Sequence, residues 1–387
     1  MNNASTMAPS TRSRPLRIMH FICPTGFYGA EKWILSLVSN MDSHAVISEL
    51  AVIREPGKPL LKLTERFRAL DMDAHEIQAN GRFDPGVIGR LARLLSERQI
   101  DVLHTHGYKP DIIGVMAARK AGVRRICTTH GFENDRDLKL RLYVWLGCQS
   151  FRFFDKVVSL SEQQRVKVRR YGVPEKRMQI ITSGIDLQPL EPFIRQRAPG
   201  HYHGADDLKI GFIGRMISSK NITAILDVFS ELAEHNPALQ LELIGDGNER
   251  DQLEQYARTL AAHDRIHFRG FVDNPLIHLQ ELDLFLMTST LEGTPLCLME
   301  AMAMGVPAVA FKIPGIDLLI EQGETGFVTK LGDHAGLVAY CEQLLDDPSL
   351  ARKLATAARQ RILEHFSAER MADEYLSLYR SLVRVSD

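Results

Sequence analysis

A repeated alternation of short apolar segments with helical segments most constrains how this chain can fold. Both halves of the 387-residue chain carry it. The first half contains six predicted strands: Arg17–Cys23, Glu49–Ile53, Asp101–His104, Arg125–Thr129, Lys156–Leu160 and Gln179–Thr182. The second half contains six more: Lys209–Ile213, Gln240–Ile244, Ile266–Phe268, Asp283–Met287, Ala308–Phe311 and Gly326–Val328. Strands that alternate with helices are typical of parallel sheets covered by helices. The sequence therefore predicts an α/β protein with two doubly wound, Rossmann-like domains.

Domain boundaries follow from length and local composition. A chain of this length exceeds one typical hydrophobic core, which favours two domains. The segment 188–207 is rich in proline and glycine and is predicted to be a linker. Residues 1–15 are polar and are predicted to be a disordered leader, so that the N-terminal domain spans 16–187 and the C-terminal domain begins at 208.

The composition argues against a membrane span and a secreted protein. The most apolar stretch, 302–320, is interrupted by Pro307, Lys312 and Pro314. The N-terminus lacks the apolar core of a signal peptide. Five scattered cysteines without metal-ligand spacing favour a reducing cytoplasm: Cys23, Cys127, Cys148, Cys297 and Cys341.

The charges are distributed unevenly along the chain. Residues 1–200 contain 31 Lys and Arg against 20 Asp and Glu, whereas residues 201–387 contain 16 against 28. The halves therefore carry net charges of +11 and −12. A basic half suits an anionic membrane surface, a lipid phosphate or nucleic acid, and charge alone does not choose among them.

Two carboxylates flank a predicted strand-to-helix junction in the second half. Glu292 follows the strand Asp283–Met287, and Glu300 lies about a turn and a half into the next helix. Thr294 is the expected N-cap, and Pro295 suits the first helical position. A helix N-terminus beside a strand end favours an anion. Acidic side chains beside it are suited to accept hydrogen bonds from sugar and ribose hydroxyls.

A second junction carries two cations. The strand Lys209–Ile213 leads into Gly214-Arg215 and then, after four residues, Lys220, with Asn221 as the expected helix N-cap. Two cations beside a helix N-terminus form a diphosphate site.

These motifs resemble those of the retaining glycosyltransferases of family 4, which have the GT-B fold. The run from Glu292 to Pro307 matches the family's acidic pair and its surroundings, and Gly214 to Lys220 matches its basic motif. The resemblance extends from about Leu16 to Arg384. It implies two Rossmann-like domains facing a deep cleft, with the nucleotide-sugar donor mostly on 208–365 and the acceptor mostly on the first domain. It also implies that residues 366–387 form a helix that crosses back to the first domain.

The resemblance assigns catalytic roles to four residues. Arg215 and Lys220 hold the donor diphosphate, Glu292 contacts the donor sugar, and His130 lies near the transferred sugar. Glu300 holds the ribose hydroxyls. The further donor-side residues are Gly29, Gly214, Gly245, Gly247, Phe271, Thr294, Pro295 and Leu296. The acceptor-side residues are Gly26, Tyr28, Glu31 and His106.

The chain departs from the family pattern in two loops. Tyr28 replaces a glycine of the first-domain loop. Pro314 replaces the first glycine of a Gly-Gly pair, and Leu318 stands where relatives have a glutamate. Asp317 is the candidate to replace that glutamate, and otherwise the contact with the sugar differs.

No metal and no cofactor are expected. His104 and His106 form a pair, yet no nearby Cys, Asp or Glu supplies a convincing third ligand. The family mechanism retains the anomeric configuration by departure and attack on one face, and the leaving phosphate takes the acceptor proton. Four alternatives stay open: a nucleotide-sugar epimerase on the same fold, a phosphorylase, an NAD dehydrogenase with an incomplete glycine fingerprint, and an inactive binding module.

The acceptor prediction depends on a basic, aromatic stretch. Eleven Lys and Arg lie between Arg136 and Arg177, together with Trp145, Phe151 and neighbouring aromatics. Such a mixture suits an anionic lipid surface, although the aromatics equally suit a packed core. The first interpretation predicts a cytoplasmic enzyme at the inner leaflet of the plasma membrane, with a glycan or lipid-linked glycan acceptor and no nucleic-acid partner. The second leaves a soluble acceptor.

Overall fold

A computed structural model describes residues 14–23, 29–54, 62–81, 84–130, 138–201, 204 and 207–383, with only the backbone helix described for 138–143. Two parallel sheets organise these residues, one in each half of the chain. Gly26 and Tyr28 lie outside the described residues, as does the predicted leader up to residue 13.

The first sheet has seven strands in the order β3-β2-β1-β4-β5-β6-β7, all parallel. These strands are β1 (Leu16–Ile22), β2 (Val46–Arg54), β3 (Ala74–Gln78), β4 (Val102–His106), β5 (Arg124–Thr129), β6 (Lys156–Ser159) and β7 (Met178–Ile180). The second sheet has six strands in the order β10-β9-β8-β11-β12-β13, also parallel. These are β8 (Lys209–Ile213), β9 (Gln240–Ile244), β10 (Ile266–Gly270), β11 (Leu284–Met287), β12 (Ala308–Phe311) and β13 (Phe327–Thr329).

Helices separate most of the strands, as the alternation predicts. In the first half they are α1 (Gly29–Ser39), α2 (Lys62–Ala69), α3 (Gly86–Glu97), α4 (Tyr108–Ala121), α5 (Leu138–Ser150) and α6 (Glu162–Arg169). In the rest of the chain they are α7 (Glu191–Gln196), α8 (Ile222–His235), α9 (Arg250–Ala257), α10 (Leu276–Leu279), α11 (Leu296–Ala303), α12 (His334–Asp346), α13 (Pro348–His365) and α14 (Ala368–Val383). The prediction of two doubly wound α/β domains is confirmed.

Helix α14 packs into the core of the N-terminal half. Its apolar residues recur at helical spacing, and Met371, Tyr375, Tyr379 and Leu382 join one hydrophobic cluster with Trp33 of α1. A stripe of this kind buries one face of a helix against a sheet. Helix α14 therefore completes the covering layer of the first sheet.

Both sheets reverse their strand order beside their first strand. The reversal falls between β1 and β4 in the first sheet and between β8 and β11 in the second. In open parallel sheets, ligands bind in the crevice beyond the strand ends at this switch point. The fold thus marks one candidate binding crevice in each half.

Three local predictions differ from the structure. Strand β3 was not predicted, because of its five residues only Ile77 is buried and no apolar run marks it. The N-cap prediction for Thr294 is wrong: α11 begins at Leu296, and Pro295 before it is extended, with φ −73° and ψ 111°. The fixed φ of proline suits a helix start and an extended residue alike. The predicted linker 188–207 contains α7 and the buried Leu190.

No helix among the described residues combines the length and the apolar character needed to cross a bilayer.

Candidate active site

The ends of β8 and β11 are joined by hydrogen bonds between their loops. The Thr288 hydroxyl donates to the Asn221 carbonyl at 2.8 Å, and the Thr290 backbone N–H donates to the Ser219 carbonyl at 2.8 Å. Asn221 occupies the predicted N-cap position of α8, but with a left-handed backbone (φ 51°, ψ 47°) and no side-chain cap. These bonds fix Lys220 next to the N-terminus of α8.

Two glycines of the β9–α9 loop allow it to pack against the loop that carries Arg215. A Cβ on Gly245 would lie 1.8 Å from the Gly214 carbonyl oxygen, and one on Gly247 would lie 2.2 Å from the Met216 carbonyl oxygen. Gly245 also has a positive φ of 136°, which favours glycine. Close backbone packing therefore explains both glycines, and it positions the exposed Arg215 at the switch point.

Lys220 and Glu292 form an ion pair at this crevice. The Lys220 Nζ contacts Glu292 Oε1, and both side chains are largely buried. Burial strengthens an ion pair, since water screens it less. The pair links the predicted diphosphate-binding cation to the predicted sugar-binding carboxylate.

Glu300 and Lys32 lie at the same place from opposite domains. The thiol of Cys297, on α11, experiences the charges of Lys220, Glu292, Glu300 and Lys32, and its burial raises its pKa to about 12. Burial also raises the pKa of Glu300, and Lys32 opposes that shift. A lysine of α1 in the N-terminal half therefore faces the acidic pair of the C-terminal half.

The N-terminus of α11 is the other helix end at this crevice. The hydroxyl oxygen of Thr294 is buried without a hydrogen-bond partner among the described residues. Leu296, the first helical residue, packs partly against the C-terminal core. The first N–H groups of a helix have no intrahelical acceptor, so they favour an anion here.

His130 brings the N-terminal half against this site. It follows β5, and a Cβ placed on Gly293 would lie 2.9 Å from the His130 carbonyl oxygen. Gly293 is the residue after Glu292. The Trp33 indole and the His130 ring pack in a T-shaped arrangement, with 4.9 Å between their centroids. The backbone of His130 therefore lies next to the acidic loop.

Behind His130 lies a buried cluster of histidines at the first sheet's switch point. His20 of β1 pairs in register with His104 of β4, and His106 ends β4. His106 Nδ1 is 3.1 Å from His130 Nε2, and His106 Nε2 is 3.1 Å from His20 Nδ1. His106, which is predicted to lie on the acceptor side, is 3% exposed, and its two ring nitrogens face His20 and His130.

A third imidazole, His20, joins the pair that sequence reasoning singled out. Nitrogens of His20, His104 and His106 lie within 4.8 Å of one another, which is compatible with metal ligation. However, His104 is engaged elsewhere: Nδ1 lies 2.8 Å from the Tyr379 hydroxyl and Nε2 2.8 Å from the Thr128 hydroxyl. Both nitrogens of His104 are therefore engaged in hydrogen bonds.

Burial keeps these histidines neutral. Desolvation lowers the pKa of His20 to about 3 and that of His130 to about 4, and it lowers the pKa values of His104 and His106 well below the ordinary range. The cationic form is disfavoured because it loses hydration and no carboxylate of the described residues pairs with it.

Phe271, the predicted base-lining residue, lies at the outer part of the cleft. Its ring is 52% exposed, and Lys62 of α2 lies 4.6 Å above the ring centroid. Lys62 also pairs with Asp273 at 3.2 Å. The rim of the predicted base pocket therefore includes a cation from the opposite domain.

The loop with the altered glycine pair packs against the acidic loop. Gly315, with φ 96°, lies so close to Gly293 that a Cβ would stand 2.0 Å from the Gly293 carbonyl oxygen. Asp317 accepts a hydrogen bond from the Gly315 N–H at 3.1 Å and lies 3.5 Å from Gln163 Nε2 of α6. Pro314 and Gln163 line a small cavity beside Glu292.

The residues predicted to bind the diphosphate and the donor sugar lie close together in the structure. Arg215, Lys220, Glu292 and the N-terminus of α11 share the second switch point. Glu31, in the first turn of α1, is buried. The sequence analysis does not single out Lys32, His20 or Trp33. Lys32 and Trp33 follow Glu31, and His20 lies within a predicted apolar strand. These positions were the only signals in the sequence.

Comparison with known proteins identifies the family of each half. A family model described as Glycosyltransferase Family 4 matches residues 28–189. One described as Glycosyl transferases group 1 matches residues 198–361. The chain is 26% identical over 325 residues to the N-acetyl-alpha-D-glucosaminyl L-malate synthase of Bacillus anthracis, covering 82% of this chain and 84% of that protein.

Two further relatives are glycosyltransferases by name. One is the UDP-Gal:alpha-D-GlcNAc-diphosphoundecaprenol alpha-1,3-galactosyltransferase of Escherichia coli, 26% identical over 76% of this chain and 78% of its own length. The other is the lipopolysaccharide core biosynthesis glycosyltransferase LpsD of Rhizobium meliloti, 25% identical over 94% and 98%.

Solved structures share the architecture. Anabaena Alr3699/HepE, solved in complex with UDP-glucose, matches with a TM-score of 0.80 and 19% identity, covering 95% of this chain and 100% of that chain. At this identity the likeness concerns the fold. Since the two adjacent family models account for both halves and the fold matches GT-B structures, the chain belongs to the family 4 glycosyltransferases, with the GT-B fold.

Proposed function

We propose that this glycosyltransferase transfers a hexose from a nucleoside-diphosphate sugar to a glycan or lipid-linked glycan, with retention of the anomeric configuration. The supporting observation is the Lys220–Glu292 ion pair between two helix N-termini, with Glu300 beside it. This arrangement offers cations to a diphosphate and carboxylates to hydroxyls.

In this proposal the diphosphate binds where β8 and β11 end. Arg215 and Lys220 supply positive charge, and the N–H groups of α8 and α11 supply hydrogen bonds. Lys220 then also contacts the phosphate, and its ion pair with Glu292 weakens. The carboxylate of Glu292 becomes available to a sugar hydroxyl, and Glu300 accepts from the ribose.

The transfer step needs no covalent intermediate on the protein. The bond from the anomeric carbon to the β-phosphate oxygen breaks, and the acceptor oxygen bonds to that carbon on the same face. The acceptor hydroxyl gives its proton to the departing phosphate. Arg215 and Lys220 stabilise the charge that develops on that phosphate, which is where fixed cations contribute most.

The site is also proposed to act without a metal ion or cofactor. In this proposal two side-chain cations and two helix N-termini face the diphosphate, and Lys32 adds a third positive charge from the other domain. A divalent cation, whose usual role is to neutralise such a leaving group, is therefore redundant.

The acceptor side is proposed to touch an anionic membrane from the cytoplasm. Of the aromatic residues noted in this region, Phe151 and Phe154 are buried in the core, whereas Trp145 and Phe153 are 50% and 57% exposed. Leu146 is 48% exposed. Exposed aromatics beside basic residues suit the interface of an anionic bilayer. A lipid-linked acceptor would then lie near the cleft.

A donor panel tests the transferase proposal. The protein is heated with UDP-, GDP-, ADP- and TDP-sugars, and the donor that raises the melting temperature is then incubated with glycan acceptors. The proton coupling at the new anomeric centre reports the stereochemistry. Inversion at that centre, or turnover of donor into an epimer without acceptor, would contradict the proposal.

Liposomes test the membrane contact. Vesicles rich in anionic lipid should sediment the protein at low salt and release it at high salt. Joint reversal of Arg165, Lys167, Arg169 and Arg170 to Glu should weaken sedimentation, but Lys167 also lines the cavity beside Glu292. Trp145→Ser with Phe153→Ser should weaken sedimentation and leave donor binding unchanged. Since Arg165 and Arg169 already pair with Glu175, the aromatic double variant is the cleaner arm. Arg352→Glu with Lys353→Glu on α13 is the matched control. Absence of sedimentation at low salt would favour a soluble acceptor.

A further inference from the structure

We propose that His20 is a positioning residue that acts through His106 to hold the proton of His130 on Nδ1, so that His130 offers an N–H donor to a hydroxyl of the donor sugar. The inference rests on the proposed function only for the identity of the ligand. The proton arrangement itself follows from the contacts of the three rings.

The three imidazoles form one chain of hydrogen bonds from the core to the cleft. His20 Nδ1 lies 3.1 Å from His106 Nε2, and His106 Nδ1 lies 3.1 Å from His130 Nε2. His20 and His106 are stacked at an interplanar angle of 14°. Both nitrogens of His106 are therefore engaged, one with each neighbour.

A neutral imidazole carries one N–H, so each ring of the chain donates once at most. The chain consequently has two possible directions. Either His20 donates to His106 and His106 donates to His130, or both bonds run the opposite way. The surroundings of His20, at the buried end of the chain of rings, determine which direction is adopted.

His20 Nε2 decides the direction. This nitrogen is buried and has no hydrogen-bond partner among the described residues. An orphaned buried N–H is rarer than an acceptor left without a donor. Nε2 of His20 is therefore the bare nitrogen, and the proton lies on Nδ1. His106 then accepts on Nε2 and donates from Nδ1.

The outer end of the chain follows from this direction. His130 accepts from His106 on Nε2, so its own proton lies on Nδ1. The His130 ring packs against the Trp33 indole, and the His130 backbone carbonyl lies beside Gly293, the residue after Glu292. Glu292 accepts hydrogen bonds and His130 donates one. The sugar is thus held between an acceptor from one domain and a donor from the other.

His104 belongs to a separate network and provides an internal control. Its nitrogens contact Tyr379 and Thr128, and the Thr128 hydroxyl contacts the Tyr375 hydroxyl at 2.8 Å. His104 and His20 are both fully buried. Replacing either disturbs the same core, but only His20 belongs to the chain that ends at His130.

Nitrogen NMR of the full-length protein labelled with ¹⁵N-histidine tests the proposal without any substrate. Long-range proton–nitrogen correlations distinguish the protonated nitrogen of each ring, and His130→Gln identifies the His130 signals among the 14 histidines. In the wild type we expect the proton of His130 on Nδ1. His20→Leu should move it to Nε2, whereas His20→Asn, which retains a donor near the Nδ1 position, should keep it on Nδ1.

Kinetics with the donor found by the panel give the second readout. His20→Leu should lower kcat by about tenfold, the size of one misdirected hydrogen bond in a transition state, and His20→Asn should restore most of it. His104→Phe should lower stability comparably and leave the His130 signals unchanged.

Three results would overturn the proposal. One is a proton on His130 Nε2 in the wild type, and another is an unchanged His130 tautomer in His20→Leu. The third is a stoichiometric metal ion bound through His20 and His106. If no nucleotide sugar is turned over, the proposed function fails while the NMR result still decides the proton arrangement.

Discussion

The two switch points share a topology but hold opposite kinds of chemistry. Between β8 and β11 the crevice carries charges: Arg215, Lys220, Glu292 and Glu300 beside two helix ends. Between β1 and β4 the equivalent place is filled by His20, His104 and His106, all buried and held neutral by desolvation.

The difference follows from what each crevice can bind. Charged groups and free helix N–H groups are suited to a diphosphate, whose charge they offset. Neutral imidazoles cannot offset charge, but they can orient a hydrogen bond in a dry site, where its geometry matters most. One fold thus supplies two binding regions to the same cleft. We call the β8–β11 crevice the charged half of the cleft and the β1–β4 crevice its neutral half.

Removing a cation from the charged half should have the largest effect. Lys220→Ala and Arg215→Ala should each lower transfer by roughly 10²-fold or more, since each removes charge stabilisation from the transition state. Melting temperatures should change little for the exposed Arg215. Arg258→Ala, an exposed arginine of the same domain, is the matched control. Wild-type turnover in both variants would contradict the assignment of this crevice to the diphosphate.

The two carboxylates of the charged half should separate binding from turnover. Glu300→Ala should weaken binding of the nucleoside diphosphate by roughly 10- to 10²-fold, as expected for lost hydrogen bonds to a charged group. Glu292→Ala should chiefly lower kcat, because its proposed partner is the sugar. Calorimetric titration with the diphosphate and steady-state kinetics measure the two effects. Equal diphosphate affinity in wild type and Glu300→Ala would remove the ribose role.

The neutral half should make stability depend on pH. The pKa of His20 is about 3 in the folded protein and about 6.5 in the unfolded chain, so the unfolded state binds more protons between these values. The stabilisation is complete above pH 6.5 and is lost as the pH falls toward 3. Lowering the pH from 7 to 5 should reduce the free energy of unfolding by about 2 kcal/mol through His20 alone. Denaturant titrations at both pH values should show a smaller loss in His20→Leu; an equal loss would mean that His20 is protonated in the folded state.

Chelation should have the smallest effect. If side chains and helix ends of the charged half offset the negative charge of the diphosphate, the rate of transfer in excess EDTA should equal the rate without EDTA. The assay includes a chelated, dialysed sample to which magnesium or manganese is restored. Activity that disappears with EDTA and returns with the metal would show that the cations of this crevice are insufficient.

Sequence patterns predict the charged half better than the neutral one. Arg215, Lys220, Glu292 and Glu300 lie beside strand ends in short motifs, so local spacing predicts that they converge. The predicted helix start differs from the observed start at Leu296 by one residue, because proline tolerates both conformations.

The neutral half depends on contacts that only the sheet creates. His20 lies within an apolar strand and is adjacent to His104 through the β1–β4 register, which no local pattern encodes. Lys32 is close to Glu300 only because the two domains face each other. Edge strand β3 lacks an apolar run, so its position is determined by pairing with β2.

The return of α14 has a consequence for how the protein is made. Tyr375 and Tyr379 lie in the same core as Trp33, and Ala368 N–H bonds to the Ile185 carbonyl at 2.8 Å where the chain crosses back. A ribosome must therefore release the whole C-terminal half before the first domain can close its core. The second domain, although synthesised later, can bury its own sheet first. Growth of the chain from the N-terminus and completion of the fold thus run in opposite orders.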